Sequence, residues 1–558
     1  MVCPCRQHYR APSLGGGPTV LWYGGELQVL PPLNVSMLEG HVDMPNRTVH
    51  NDARDGVQSS AWRRVVAAAS QGEELRITVL GSSISAGCLD VGGAINLRAG
   101  MSRCHFSHAW VRFLQDKLSG LRLRKASARL SVWAKPAVPP SYFDSCTRRY
   151  LDANAHVVLL EFQAVLQQRP CSDVHNQLRP LVNSVRRIAP SAAIVFVGWP
   201  ARTYNERAPY LCSPEDTGRS LLEFGNAQDI NILSLAAVVP AERADRRPYY
   251  GSVGVHPSEL GAHLMAVEVE RALTRWVLQA CCDHGDAAVP TEPQHVAPTI
   301  PSAPFEWCAT QGDMLPVIPP AHNWSTWRLV DEGEAGVAKL GWQSLIPGVR
   351  DDKLTLNVQP AIKSICAVFA ARLGYVQSWK SEYGALLVSC TGDCTCHPKD
   401  FGRADAQALN PFPLVEAWHP EYSATITAAT TFLINPHPES KSCQVHVTHQ
   451  RSRVRRSASN PTNDSRVRVD SLGLKIAIEY QQCHFACIAL QRGYSAASMA
   501  DYSRRCAIRA ASGNLNATGP ECFQDAHTVS DAMKICHRLE NQTRTKNLGS
   551  LLVPGGAY

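Results

Sequence analysis

The sequence predicts an α/β domain built on a parallel sheet, followed by a β-sandwich and a small cysteine-rich unit. Three observations predict it. Apolar runs alternate with helical patterns from Leu75 to Leu278, short apolar runs broken by Gly, Pro and Asp fill residues 305–450, and cysteines crowd residues 470–558. Alternation of strands with helices requires crossover connections, which lay helices on both faces of a parallel sheet. With 558 residues the chain exceeds what one core supports, so several domains are expected.

The elements follow in order. Residues 1–69, rich in Gly and Pro at the start and without sustained periodicity, are expected to be an irregular extension. Residues 70–282 form the α/β domain: Leu75 to Leu80, Val157 to Phe162, Ile194 to Gly198 and Ile230 to Leu235 are predicted strands, and His108 to Leu118, Val174 to Ile188 and Glu259 to Leu278 are predicted helices. Residues 283–304 carry Pro290, Pro293, Pro298, Pro301 and Pro304, too many ring constraints for an element, and are predicted to be a linker. In residues 305–450 the runs Lys353 to Val358, Ala385 to Val388 and Gln444 to Val447 alternate with turn residues, without a long amphipathic helix, so a β-sandwich is expected. Residues 451–469 open with Arg451-Ser452-Arg453-Val454-Arg455-Arg456, a solvated charge run in a basic linker with a processing site as the alternative. Residues 470–558 hold Cys483, Cys487, Cys506, Cys522 and Cys536, as a disulfide-stapled unit would.

Composition excludes some functions. A net charge of +7 over this length is mild and no lysine-rich face accompanies it, so nucleic acid is not an expected partner. No run of about 18 apolar residues occurs, which argues against a spanning helix. Twenty cysteines and six Asn-x-Ser/Thr sequons (Asn34, Asn46, Asn323, Asn463, Asn516, Asn541) point to an oxidising, glycosylating route, hence to a secretory or extracellular protein. Met1 to Arg10 shows no apolar h-region, so no signal peptide is visible; a truncated start or a cytosolic chain are the two ways to reconcile this.

Two segments carry chemistry. Gly81-Ser82-Ser83-Ile84-Ser85-Ala86-Gly87 directly follows a predicted strand and places Ser83 on a tight strand-to-helix turn at the carboxyl edge of the sheet. Val255-His256-Pro257-Ser258-Glu259-Leu260-Gly261 opens the last predicted helix, with Pro257 and Ser258 as helix-start residues that fix the loop and its imidazole. A hydroxyl becomes a competent nucleophile when a histidine takes its proton, so Ser83 and His256 are the candidate catalytic pair.

These two blocks resemble the first and last motif blocks of the SGNH/GDSL hydrolase family, over roughly residues 70 to 280. The resemblance implies a three-layer α/β/α, flavodoxin-like fold and hydrolysis of acyl esters, often acetyl or other groups on carbohydrates and lipids. It also implies Ser83 as nucleophile and His256 as general base. The chain departs from the pattern at four places. The family's acidic partner, three positions before the histidine, is Val253, which cannot accept the Nδ1–H bond. The block after the third strand reads Glu161-Phe162-Gln163-Ala164-Val165-Leu166-Gln167-Gln168, without the expected Asn. No glycine lies between Gly120 and Gly198 to complete the oxyanion hole, and the Asp of Gly-Asp-Ser is Ser82. Losing the triad carboxylate costs about 10⁴ in turnover and losing one oxyanion donor roughly 10² to 10³, so an active enzyme needs substitutes. The candidates are the N–H of Ser83 with that of Ala134 or Ala137, the amide of Gln167 or Gln168, and a backbone carbonyl or Asp245 in place of the carboxylate.

Two further clusters have competing readings. Cys390, Cys394, Cys396 and His397 are soft-metal ligand types, but one short loop is cramped for tetrahedral zinc and a disulfide knot is expected; no metal or cofactor is predicted. Trp327, Trp342, Tyr375 and Trp379 are expected in the sandwich core, with a sugar-stacking platform as the alternative. The second module, through Trp327 to Gly333, Lys339 to Trp342 and the cysteines after Gly384, resembles the β-rich domain that accompanies SGNH-like domains in some algal and protist proteins.

Two functions stand side by side. The first is a serine esterase acting on an acylated small molecule or polysaccharide, with an acetylated glycan or a small acyl ester as the expected substrate. The alternative is a catalytically impaired, SGNH-like extracellular glycan-binding or surface protein. Nothing in the sequence speaks to oligomeric state.

Overall fold

The computed structural model describes residues 19–23, 26–30, 59–90, 102–104, 106–120, 127–201, 211–237, 239, 247–251, 254–282, 306–319, 327–331, 340–344, 353–362, 369–378, 383–398, 414–417, 426–436, 442–450 and 466–476. In chain order the first half contains β1 (Thr19–Tyr23), β2 (Glu26–Leu30), α1 (Ser59–Gln71), β3 (Leu75–Gly81), a hairpin of β4 (Cys88–Asp90) and β5 (Ser102–Cys104), and α2 (Trp110–Gly120). Next come β6 (Ala128–Ala134), α3 (Pro140–Ser145), α4 (Thr147–Tyr150), β7 (Val157–Glu161), α5 (Gln163–Leu166), α6 (Val174–Ile188), β8 (Ala193–Gly198), α7 (Pro214–Gln228), β9 (Asn231–Ser234) and α8 (Glu259–Cys282).

The central sheet runs β6-β3-β7-β8-β9, all parallel. Counted among themselves in chain order, these five strands stand 2-1-3-4-5, the flavodoxin-like doubly wound order whose ligand crevice opens at the carboxyl ends of strands 1 and 3, here β3 and β7. The pleat sorts the apolar side chains. Ile77, Val79, Leu159, Val195 and Val197 join one core with Trp62, Trp110, Phe113, Met265 and Trp276, from α1, α2 and α8. Leu80, Val158, Leu160, Ile194 and Phe196 join the other with Phe143, Leu178, Leu181 and Phe224, from α3, α6 and α7. A strand buried on both faces reads as an unbroken apolar run, and β7 and β8 are buried at every residue.

The second half is a sandwich of β10 (Glu306–Thr310), β11 (Trp327–Asp331), β12 (Leu340–Ser344), β13 (Lys353–Asn357), the one-turn α9 (Gln359–Ile362), β14 (Phe369–Gln377), β15 (Ala385–Gly392), β16 (Cys394–Pro398), β17 (Leu414–Glu416), β18 (Ile426–Pro436), β19 (Cys443–Gln450) and β20 (Val467–Ile476). One antiparallel sheet is β11-β12-β20-β14-β18-β16, with β10 also on β20; the other is β13-β19-β15-β17. Their inner faces meet in one core, Leu354, Leu356, Leu386, Val388, Val445 and Val447 against Phe369, Leu373, Phe432, Val467, Val469 and Leu474.

Three expectations change. The segment expected as irregular contributes β1 and β2, which extend the sheet beyond β6, and α1, whose Trp62, Val65 and Ala69 repeat at helical spacing into the core. The unit expected from residue 470 instead begins inside β20, which pairs with β10, β12 and β14 and is integral to the sandwich. Its outer residues Arg468, Asp470 and Ser471 are polar yet buried, so the strand resembled the start of a solvated region. The cysteines of the expected C-terminal unit, both linkers and the sequons fall outside the described residues, apart from the strand just named. Lastly, the Ser83 turn leads into the β4–β5 hairpin rather than a helix, because Gly87 turns the chain at φ +71° and Cys88 is tied to Cys104.

Disulfides also join Cys171 to Cys212, Cys390 to Cys396 and Cys394 to Cys443. The cysteine cluster is therefore a disulfide knot clamping β15, β16 and β19. Trp327, Trp342 and Tyr375 lie buried in the sandwich core, and Trp379 is outside the described residues.

Candidate active site

The site is assembled at the switch point between β3 and β7. Gly81 ends β3 level with Ala134 on one side and Glu161 on the other, so three strands deliver their last residues to one edge. Beyond Gly81 the chain folds into a tight turn: the Ala86 N–H donates to Ser82 O at 3.0 Å, the Gly87 N–H to Ile84 O at 3.2 Å, and the Cys88 N–H to Ser83 O at 2.9 Å. A side chain at 81 would collide with Ser85. That is why the residue entering the turn is glycine.

The histidine arrives from the far end of the domain. Tyr250 and Pro257 form an antiparallel bridge, the Gly251 N–H donates to His256 O at 2.9 Å, and Gly254 at φ +83° reverses the loop between them. Ser258 caps α8 by accepting the Gly261 N–H at 3.1 Å, which anchors the residue two places after the imidazole. The result brings together residues 173 apart in sequence: His256 Nε2 lies 2.9 Å from Ser83 Oγ. This is a hydrogen-bond distance, in which the hydroxyl donates in the tautomer that leaves Nε2 without a proton. Both side chains are almost enclosed, Ser83 at 9 % exposure and His256 at 7 %.

A residue with no assigned role in the sequence reading proves to be built into the turn. Glu161, fully enclosed at the end of β7, accepts the Ser82 and Ser85 N–H groups, each at 3.2 Å, the Ser85 hydroxyl at 3.0 Å and the Ser82 hydroxyl at 3.1 Å. Trp110 Nε1–H in turn donates to Ser85 Oγ at 3.1 Å. Four donors converge on one carboxyl group, on both sides of Ser83 in sequence. Burial pushes the Glu161 carboxyl up to about 7, because desolvation outweighs the opposing hydrogen bonds from Ser85 and Ser82. The signal in the sequence was one charged residue closing an otherwise apolar strand, Val157-Val158-Leu159-Leu160-Glu161.

The oxyanion candidates separate. Gln167 is fully enclosed, and its amide is spent on Ala201, donating to its carbonyl at 3.1 Å and accepting its N–H at 3.0 Å. These two bonds tie the Gln167 side chain to the backbone at Ala201 and commit one of its two amide hydrogens, so Gln167 braces two loops. Ala134 does end β6 beside the Ser83 turn, and the segment after it lines the same edge, with the Lys135 N–H donating to Gly81 O at 3.2 Å and Ala137 in the left-handed region at φ +59°. Val253 and Asp245 lie outside the described residues. Among the described residues, no group of three or more His, Cys, Asp or Glu side chains is placed to hold a metal ion.

No family model matches the chain, and no curated protein matches it. Solved structures do. A two-domain esterase active on acetylated mannans is 15% identical, with 77% of this chain and 98% of that chain covered at a TM-score of 0.43. The lipase/acylhydrolase from Enterococcus faecalis is 14% identical over 36% of this chain and 96% of its own, at 0.28. A psychrotrophic esterase from Pseudoalteromonas is 15% identical over 36% of this chain and 98% of its own, at 0.25.

Proposed function

We propose that this chain is a serine carboxylic ester hydrolase, with Ser83 as nucleophile and His256 as the general base. The observation that carries the proposal is the 2.9 Å approach of His256 Nε2 to Ser83 Oγ at the carboxyl edge of a doubly wound sheet. In this reading Ser83 Oγ attacks the acyl carbonyl while its proton passes to His256 Nε2. The tetrahedral intermediate collapses by expelling the alcohol, which takes that proton, and leaves an acyl-serine. Water then attacks the acyl group, giving its proton to His256, and the carboxylic acid leaves as Ser83 recovers a proton. In this reading the oxyanion is held by the Ser83 N–H and the N–H of Ala134 or Ala137, at the end of the neighbouring strand.

The motif resemblance supports an acyl group of acetyl size on a carbohydrate, and the disulfides within both halves support a route through an oxidising compartment. Hydrolysis of p-nitrophenyl acetate, together with labelling by a fluorophosphonate, tests the reading. Ser83→Ala is expected to lose both, with turnover reduced by at least about 10³-fold. Equal rates for the two proteins would remove the nucleophile, and a wild-type chain that neither turns over nor labels would leave glycan binding as the surviving reading.

A further inference from the structure

Lys135 follows the last residue of β6, so it belongs to the segment beside Ser83, yet its side chain points away from solvent into the second domain. It is buried, with Nζ 3.7 Å from Asp470 Oδ2 and 4.9 Å from the centre of the Tyr142 ring. Asp470 is itself enclosed in β20 and is satisfied on its other sides: Arg468 Nε donates to Oδ1 at 2.9 Å and the Thr427 hydroxyl to Oδ2 at 3.0 Å. Gly341 in β12 leaves room for this pair, since a side chain there would collide with Arg468. Two residues on from Lys135, the Ala137 carbonyl accepts the Thr427 N–H at 2.7 Å, and Ala137 adopts the left-handed conformation, which an alanine adopts only where its surroundings impose it. Further along, Asp144 of α3 pairs with Arg372 of β14 and accepts the Ser184 hydroxyl at 2.7 Å.

A buried ion pair is a poor device for stability, because desolvating both charges consumes most of what their attraction returns. Such a pair does discriminate strongly between geometries, since any displacement leaves a charge buried and unpaired. Here it is placed one residue after Ala134, and its partner, Asp470, lies in the other domain. The segment is thus held from both sides, by Gly81 of the nucleophile strand through the Lys135 N–H and by β18 and β20 through Ala137 and the Lys135 side chain.

We propose that the sandwich domain, through Asp470 and Thr427, sets the conformation of the Lys135–Val138 segment and thereby of the wall that faces the Ser83 nucleophile. Lys135 and Asp470 are positioning residues for the site, and the second domain is a structural part of it rather than an appendage. The proposal rests on the esterase reading for its catalytic consequence.

The test uses the full chain with Lys135→Met, which removes the cation but leaves Asp470 its bonds from Arg468 and Thr427, and Lys135→Arg, which keeps the charge. Amide hydrogen exchange over residues 135–146 and steady-state hydrolysis of p-nitrophenyl acetate are measured on both. The expected result for Lys135→Met is exchange at least about tenfold faster, with kcat lowered about 10- to 100-fold and KM within about twofold, the signature of a misplaced oxyanion donor. Lys135→Arg is expected to recover most of the turnover. A Lys135→Met protein with wild-type exchange and wild-type kcat overturns the proposal, as does faster exchange with unchanged kcat. A wild-type chain with neither turnover nor fluorophosphonate labelling overturns the esterase reading and the positioning role with it, whereas an active wild type beside an indifferent Lys135→Met overturns the role alone.

Discussion

At the scale of single residues, Glu161 is where charge, burial and geometry meet. Its carboxyl is held near 7 against an ordinary 4.5, so between those values the folded chain keeps a proton that the unfolded chain has released. Stability contributed by this group is therefore fully present below about pH 4.5 and falls as pH rises to about 7. Glu161→Gln is neutral in both states and lacks that slope. Comparing thermal midpoints of the two proteins across this interval should show the wild type losing ground to the variant as pH rises; a difference that grows the other way would refute the assignment. The same variant points an amide NH₂ at backbone and hydroxyl donors of the turn, so reduced turnover is expected as well. Leaving one such buried donor unmet costs about 1–3 kcal/mol.

At the scale of elements, the turn after β3 is defined at both ends. Gly81 and Glu161 define its entry, and the Cys88–Cys104 disulfide ties its exit to the β4–β5 hairpin. The loop closed by that bond spans 16 residues, for which chain entropy predicts about 3 kcal/mol. Replacing both cysteines by serine should lower the denaturation midpoint accordingly and slow fluorophosphonate labelling of Ser83. A variant labelled at the wild-type rate would show that the turn holds its shape without the bridge. The sequence pattern marked the strand and the glycines here. It misjudged the next element, because the hairpin is held by a pairing of cysteines that sequence spacing does not reveal.

At the scale of the molecule, β20 is the strand through which the sandwich meets the α/β domain at Lys135. Its inner residues Val467, Val469, Leu472 and Leu474 fill the sandwich core, while Asp470 on its other face, bonded by Arg468, pairs with Lys135. A chain ending at residue 466 therefore loses the strand between β12 and β14, whereas one ending at 482 retains it. Limited trypsin digestion should find residues 306–450 protected in the longer chain and cleaved in the shorter. Equal protection would mean that the sandwich closes without its central strand, contrary to the ladder it shares with three neighbours.

The sequence alone determined the alternation of strands and helices, the sandwich patterning and the positions of Ser83 and His256, because each is written in local periodicity or in a short run of residues with fixed chemical roles. Phe162 to Gln168 was less informative: amide side chains look alike in sequence, and only the contacts of Gln167 with Ala201 reveal that it is tied to the backbone there. Glu161 and Asp470 were not legible as functional residues at all. Each is a lone carboxylate in a strand: the donors to Glu161 lie 76 and 79 positions away and the lysine paired with Asp470 lies 470 − 135 = 335 positions away, and folding alone brings them within reach. Electrostatics and hydrogen bonding act over a few ångströms of space, whereas a sequence records distance only along the chain.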